Sequence, residues 1–145
     1  MFIGEYNHTI DAKSRLIIPQ KFREALGDVF YMSKNLDGGL DIRTKEEWET
    51  FATKLISIPD TRANARKIKN FFFSGAAECE LDKQGRALVA PELRKYAGLE
   101  KEVVLTGAFN KVQVWSKSKW DEINSISIDE IEDIAESLAE LGIDL

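Results

Sequence analysis

The sequence predicts a duplicated, β-rich mixed α/β fold in which two half-size units share one core. Three observations predict it. Residues 9–48 resemble residues 80–120 at an offset of 71 to 72 positions. Each copy passes from alternating and wholly apolar strand patterns into a proline-started helical pattern. The length of 145 residues and a 43% hydrophobic content suit one ordinary domain with a real core.

The repeat is the firmest of the three, because self-similarity at a fixed period is rarely accidental over forty positions. Thr9-Ile10-Asp11-Ala12-Lys13-Ser14-Arg15-Leu16-Ile17-Ile18-Pro19 matches Glu80-Leu81-Asp82-Lys83-Gln84-Gly85-Arg86-Ala87-Leu88-Val89-Ala90-Pro91. Phe22-Arg23 matches Leu93-Arg94, and Gly27 matches Gly98. The proline alone slips by one place, as an extra residue in the second strand would make it do. Farther on, Leu40-Asp41-Ile42 faces Val112-Gln113-Val114 and Trp48 faces Trp120.

Each copy reads as the same run of elements. An alternating strand (Tyr6 to Ile10; Ala77 to Leu81) enters a polar Asp-x-x-x-Arg turn. A wholly apolar strand follows (Leu16 to Ile18; Ala87 to Ala90), a pattern suited to burial. Pro19 and Pro91 open short helices that Gly27 and Gly98 close, the usual asymmetry of helix ends. A hairpin comes next, Val29–Ser33 with Leu40–Arg43, turned at Asp37-Gly38. Its counterpart is Val103–Thr106 with Val112–Trp115. Thr44-x-x-Glu47 then forms a capping box, and Trp48, Phe51, Ala52 and Leu55 share one helical face as far as Pro59. The linker offers a further helix from Thr61 to Ser74, ended by Gly75. Past the second copy, Ser127-x-x-Glu130 caps a tail helix with Ile131, Ile134, Ala135, Leu138 and Leu141 aligned.

The net charge of −5 conceals a division. Residues 121–145 carry nine acids and no Lys or Arg, which leaves residues 1–120 with a balance of +4. A mildly basic body with an acidic tail points toward nucleic acid. The single cysteine, Cys79, excludes an internal disulfide and suits a reducing cytosol. One histidine and one cysteine cannot form a Cys/His zinc cluster. No apolar run approaches the ~20 residues of a membrane span, and Met1–Asn7 lacks the pattern of a secretory leader. A soluble, cytoplasmic, metal-free protein without cofactor is expected.

Candidate binding residues come from the recurring turns. They display Lys13, Ser14 and Arg15 in one copy and Lys83, Gln84 and Arg86 in the other. Guanidinium groups engage guanine edges or phosphate in bidentate fashion, and lysine adds a point charge. Asp11 and Asp82, four residues earlier, could pin each arginine by an ion pair. An ordinary turn needs neither the arginine nor a lysine, yet both recur, which favours Lys13, Arg15, Lys83 and Arg86 as DNA-binding groups. His8 has no counterpart and no catalytic neighbour, so a strand-edge role is the plainer reading. Cys79 falls in an alternating strand as a small buried hydrophobe. An enzyme would have to depend on one of these two. Phe71, Phe72 and Phe73 cannot all enter one small core, so a second core or an oligomer contact is expected of them. Arg62, Arg66, Lys67 and Lys69 make either a DNA-facing strip or a solvated helix face.

The opening Met1-Phe2-Ile3-Gly4-Glu5-Tyr6, the Asp11–Pro19 segment, the run Phe71 to Cys79 and Asp82-Lys83-Gln84-Gly85-Arg86 together resemble the MraZ family of bacterial transcription regulators. The resemblance covers about residues 1–120. It implies tandem SpoVT-AbrB domains at 5–48 and 76–120, a helical linker at 49–75 and an acidic amphipathic tail at 121–145. Each domain would be a swapped-hairpin half, and the halves would interlock as an intramolecular double-split β-barrel with peripheral helices. It further implies a homo-oligomeric ring that binds direct repeats in double-stranded DNA upstream of the division and cell-wall gene cluster. Such a protein is nucleoid-associated and needs neither cofactor nor small-molecule substrate. The alternative is an antitoxin-like protein-interaction module of the same fold that lacks specific DNA binding. One departure stands out: the family's first loop usually reads Lys-Gly-Arg, where this chain has Lys13-Ser14-Arg15. If that glycine takes a positive φ, Ser14 must accept the strain.

Overall fold

The computed structural model describes all residues from Met1 to Leu145. The first half runs β1 (Glu5–Thr9), β2 (Arg15–Ile17), α1 (Gln20–Leu26), β3 (Val29–Lys34), β4 (Leu40–Thr44) and α2 (Lys45–Ile56). After α3 (Ala63–Ser74), the second half repeats the order as β5 (Ala77–Glu80), β6 (Arg86–Leu88), α4 (Pro91–Ala97), β7 (Glu102–Gly107), β8 (Val112–Ser116) and α5 (Lys117–Asn124). A last helix, α6 (Ile128–Glu140), follows.

The halves exchange strands. One antiparallel sheet of six strands has the order β1-β7-β8-β4-β3-β5, so β1 pairs with a strand of the second half and β5 with a strand of the first. The β4–β8 pair joins the two hairpins at the middle. A separate two-stranded ribbon pairs β2 with β6, and single bridges at Ile10–Leu16 and Leu81–Ala87 tie it to the sheet's two edge strands. As hydrogen-bonded ladders the sheets stay open.

One core of twenty buried residues draws on both halves, among them Leu16, Ile18, Phe22, Phe30 and Ile42 from the first and Val89, Leu93, Val103, Leu105 and Val114 from the second. A half of about seventy residues buries too little apolar surface to be secure alone, and interleaving the halves removes that difficulty.

Two details differ from the sequence pattern. β2 and β6 stand 71 residues apart, and so do α1 and α4. The second strand therefore holds no extra residue. Instead the proline crosses the helix boundary: Pro19 is the N-cap of α1, whereas Pro91 is the first residue of α4. Neither place requires a backbone N–H, so proline suits both. The apolar runs after the turns are also not buried on both faces. Leu16, Ile18, Ala87 and Val89 are buried, but Leu88 is 64% exposed and Ile17 is half-buried. A two-stranded ribbon can lay only one face on a core.

The flanking helices start as their caps dictate. Thr44, Ser116 and Ser127 each accept a hydrogen bond from the backbone N–H three residues on. α2 and α3 cover β3 through a second, aromatic core. Tyr31 stacks on Trp48, Trp48 meets Phe51 and Phe73, and Phe51 meets Phe72 edge-on. Phe72 is thus consumed by the fold and offers nothing to a neighbour. Phe71 lies half-buried against Tyr96, and Phe73 keeps 37% of its surface exposed. No helix is long and apolar enough to cross a membrane.

Candidate nucleic-acid interface

Each Asp-x-x-x-Arg turn is built around its aspartate. Arg15 Nε donates to Asp11 Oδ2 at 2.6 Å, while the backbone N–H groups of Arg15 and Lys13 donate to Oδ1 at 2.9 and 3.0 Å. In the second turn Arg86 Nε donates to Asp82 Oδ2 at 2.8 Å, and the N–H groups of Arg86 and Gln84 both reach Oδ1 at 2.9 Å. The chain closes each turn with paired backbone bonds, Ser14 N to Asp11 O and Asp11 N to Arg15 O in the first. Such carboxylate-centred turns explain the aspartate directly, since one side chain satisfies two backbone donors and a guanidinium. The Arg15 N–H bond first, and the Arg15 side chain with it, holds the Asp11 carboxyl below the ordinary carboxylate range; Arg86 does the same for Asp82.

The β2–β6 register brings the two turns together. Arg15 lies opposite Leu88 and Ile17 opposite Arg86. Since strand side chains alternate, Leu16 and Ala87 enter the core and Arg15, Ile17, Arg86 and Leu88 share the outer face. The arginines are diagonal neighbours across the ribbon, about 7–8 Å apart at Cβ in such a pair. Arg86 Nη1 comes within 3.9 Å of Asp11 Oδ2, an ion-pair contact between the halves. Each Nε is engaged by its own aspartate, and the Arg15 and Arg86 side chains keep 34% and 23% of their surface exposed on this face. Lys13 and Lys83 are exposed at the turn tips.

The sequence reading missed a second pair of arginines that holds these turns. Arg94 on α4 donates from Nη1 to Asp11 O at 2.8 Å and to Ser14 Oγ at 2.9 Å, and from Nε and Nη2 to Leu99 O and Glu100 O. Its repeat partner, Arg23 on α1, donates from Nε to Ile18 O at 2.7 Å. The Arg23 guanidinium also fills the space beside Gly85, where an added Cβ would lie 2.2 Å from its carbon. The first turn is thus hydrogen-bonded by an arginine of the opposite half, and the second has one packed against its glycine. The signal was present in the repeat, where Phe22-Arg23 and Leu93-Arg94 align.

The same arginines explain the serine. Ser14 has φ 62° and Gly85 φ 76°, both in the left-handed region. The positive φ expected of the first turn is therefore real, and Ser14 bears a strain on the order of 1–2 kcal/mol. Its hydroxyl is turned to use by Arg94, while the Arg23 guanidinium lies against Gly85, where a Cβ would have to push it aside.

Other candidates lie apart from this ribbon or are occupied. On α3, Lys69 pairs with Asp60 at 2.6 Å, and Arg66 donates to Asp60 O. His8 is half-buried, and desolvation together with the nearby Arg23 charge lowers its pKa. Burial pushes the Cys79 thiol up to about 11, which makes it a poor nucleophile at neutral pH. No group of three or more His, Cys, Asp or Glu residues could hold a metal ion.

The family model described as "MraZ protein, putative antitoxin-like" matches the chain twice, over residues 1–71 and 72–140. The chain belongs to the MraZ family. The protein named Transcriptional regulator MraZ of Clostridium tetani is 50% identical over 143 residues, covering 99% of this chain and 100% of that one. The protein of the same name from Clostridium acetobutylicum is 51% identical with the same coverage, and that from Heliobacterium modesticaldum is 48% identical. The two MraZ matches meet within α3, so each contains one aspartate-centred turn and one bracing arginine. Duplication of the MraZ unit thereby supplies both strands of the outward-facing ribbon.

Proposed function

We propose that the protein is a sequence-specific, DNA-binding transcriptional regulator. The observation that carries this reading is the pair of carboxylate-aimed arginines on the exposed face of the β2–β6 ribbon. The major groove of B-DNA admits a two-stranded ribbon, and arginine forks are its commonest specific readers of guanine. Arg15 and Arg86 make the base or phosphate contacts, Lys13 and Lys83 add phosphate contacts, and Asp11 and Asp82 orient the arginines. The exposed Leu88 and half-buried Ile17 give the same face apolar groups able to meet thymine methyls.

The target in this reading is a set of direct repeats upstream of the division and cell-wall gene cluster, bound at the nucleoid in the cytoplasm. Two arginines reach only a short stretch of DNA, so repeated boxes are read by a ring of copies that gains through effective concentration. Half-exposed Phe71 and Phe73 contribute to contacts between copies. Residues 5–48 and 76–120 act as the two SpoVT-AbrB domains, with 49–75 as linker and 121–145 as tail. The single bridges on either side of the ribbon support describing their joint fold as a double-split barrel.

A gel-shift of the full chain on its own operon's upstream region, at two salt concentrations, tests this. Arg15→Ala and Arg86→Ala should each lose about 1–3 kcal/mol per bidentate contact, and wild-type affinity should fall steeply with salt as counterions leave the phosphates. Wild-type binding by both variants would refute the assignment. The antitoxin-like alternative predicts a folded wild-type protein with no preference for the repeats.

A further inference from the structure

Two surfaces of the chain are left unspent by its own fold. α6 and its C-cap carry Ile128, Ile131, Ile134, Leu138 and Leu141 along one side, yet no residue of the helix is buried, and Ile131 and Ile134 are 44% and 48% exposed. Its remaining face holds six acids and no cation. A helix of 13 residues is marginal in water without a partner for its apolar face. The second surface is an open groove of about 680 Å³ beside α3. Leu36, Ile58, Ile68 and Phe71 line it, and Arg62 and Lys67 contribute its charge. α3 itself contains no acid, and Leu36 is 71% exposed at the edge of the groove.

We propose that α6 of one copy of this chain docks in the α3 groove of the next copy. The two surfaces complement each other in polarity, in sign and in length. The stripe of aliphatic side chains meets an aliphatic and aromatic floor, as amphipathic helices meet grooves elsewhere. Glu130 and Glu132, which flank the stripe on the helical wheel, face Arg62 and Lys67. The 13 residues of α6 and the 12 of α3 each span about 18–20 Å. In a single chain both the helix and the groove stand open, so the contact is made between chains.

Such a contact joins two different patches, and a heterologous contact closes into a ring or runs on as a filament. One helix in one groove is smaller than a standard interface of ~1,600 Å². In a closed assembly each copy gives one helix and receives another, so the contact is used twice per copy. The inference rests on the self-association proposed above and names the surfaces that carry it. It also gives the acidic tail a role, because a tail that occupies basic α3 leaves the ribbon as the free cationic surface.

Native mass spectrometry of the full chain at micromolar concentration tests it. Ile131→Asp with Leu138→Asp should cut the assembled fraction at least tenfold while the body stays folded, because neither position belongs to the core, so circular dichroism should lose no more helix than α6 itself supplies. Arg62→Glu with Lys67→Glu should do the same, and adding Glu130→Lys with Glu132→Lys should restore assembly. Oxidation of an Ile68→Cys, Leu138→Cys variant should yield a ladder of cross-linked chains. A full-size assembly in the α6 variant overturns the proposal and leaves self-association standing. A cross-link within one chain, or no restoration by the reversed charges, overturns it too. A monomeric wild type overturns both readings together.

Discussion

Exchanging small residues between the two turns should give opposite results, and the structure says by how much. Gly85→Ala places a Cβ where the Arg23 guanidinium carbon lies 2.2 Å away, at a residue with φ 76°. The left-handed conformation costs a non-glycine residue about 1–2 kcal/mol. Arg23 must swing aside and give up its charged hydrogen bond to Ile18 O, worth about 1.5–3 kcal/mol. Restricting the unfolded chain returns only about 0.4–1 kcal/mol. The net loss is about 1.5–4.5 kcal/mol. Ser14→Gly relieves the same left-handed strain of about 1–2 kcal/mol. It forfeits the Arg94–Ser14 bond and frees the unfolded chain, so the terms nearly cancel and stability stays within about 1 kcal/mol of wild type. Urea unfolding at fixed protomer concentration reads both, as a lower midpoint at unchanged slope for Gly85→Ala and almost no shift for Ser14→Gly. If Gly85→Ala stays within about 0.5 kcal/mol of wild type, as an ordinary surface substitution does, the bracing role of Arg23 is wrong.

Three further outcomes follow from the same geometry. Arg94→Lys keeps the charge but cannot reach four acceptors spread over both halves, so urea unfolding should show a loss of about 1–3 kcal/mol and DNA affinity should fall with it. The His8 pKa is lowered by burial and by Arg23; the unfolded chain therefore takes up the proton first, and stability should decline as pH falls below about 6.5. His8→Gln should flatten that part of the profile in urea titrations at pH 5 to 8. The Cys79 thiol, buried and with its pKa raised to about 11, should resist alkylation at pH 8 in the folded protein and react at once in denaturant, by a mass-shift assay.

Much of this architecture was legible because duplication doubles every local signal. The turns, the helix caps at Thr44 and Ser127, the hairpins and the tryptophans at the fourth position of α2 and α5 all follow from short-range chemistry that appears in the sequence as spacing. Strand exchange does not. Two copies with the same hydrophobic pattern specify which faces are buried, but not whether β1 completes its own hairpin or that of the other copy. The exposed face of the ribbon stays hidden in the sequence for a related reason. Leu88 sits in an apolar run, and periodicity cannot tell a doubly covered strand from one face of a two-stranded ribbon. In such a run an exposed leucine costs little stability, and it becomes informative only once the register places it beside Arg15.

The bracing arginines join these two points. Arg23 and Arg94 occupy helices that read as ordinary amphipathic turns, and a cation on a half-exposed helix face usually signifies nothing. Their meaning depends on the strand exchange, because only interleaved halves carry the guanidinium of α4 to the first turn and that of α1 to the second. Each turn therefore takes its aspartate from its own half and its brace from the other. A change in one half's helix reaches the opposite half's outward arginine through two charged hydrogen-bonding groups in series, Arg94 to the Asp11 backbone and Asp11 to Arg15. The Asp11–Arg86 contact closes the circuit across the ribbon. Two arginines that would be independent surface charges in separate domains are held in one fixed relation, which is the condition a surface must meet to read spacing as well as charge.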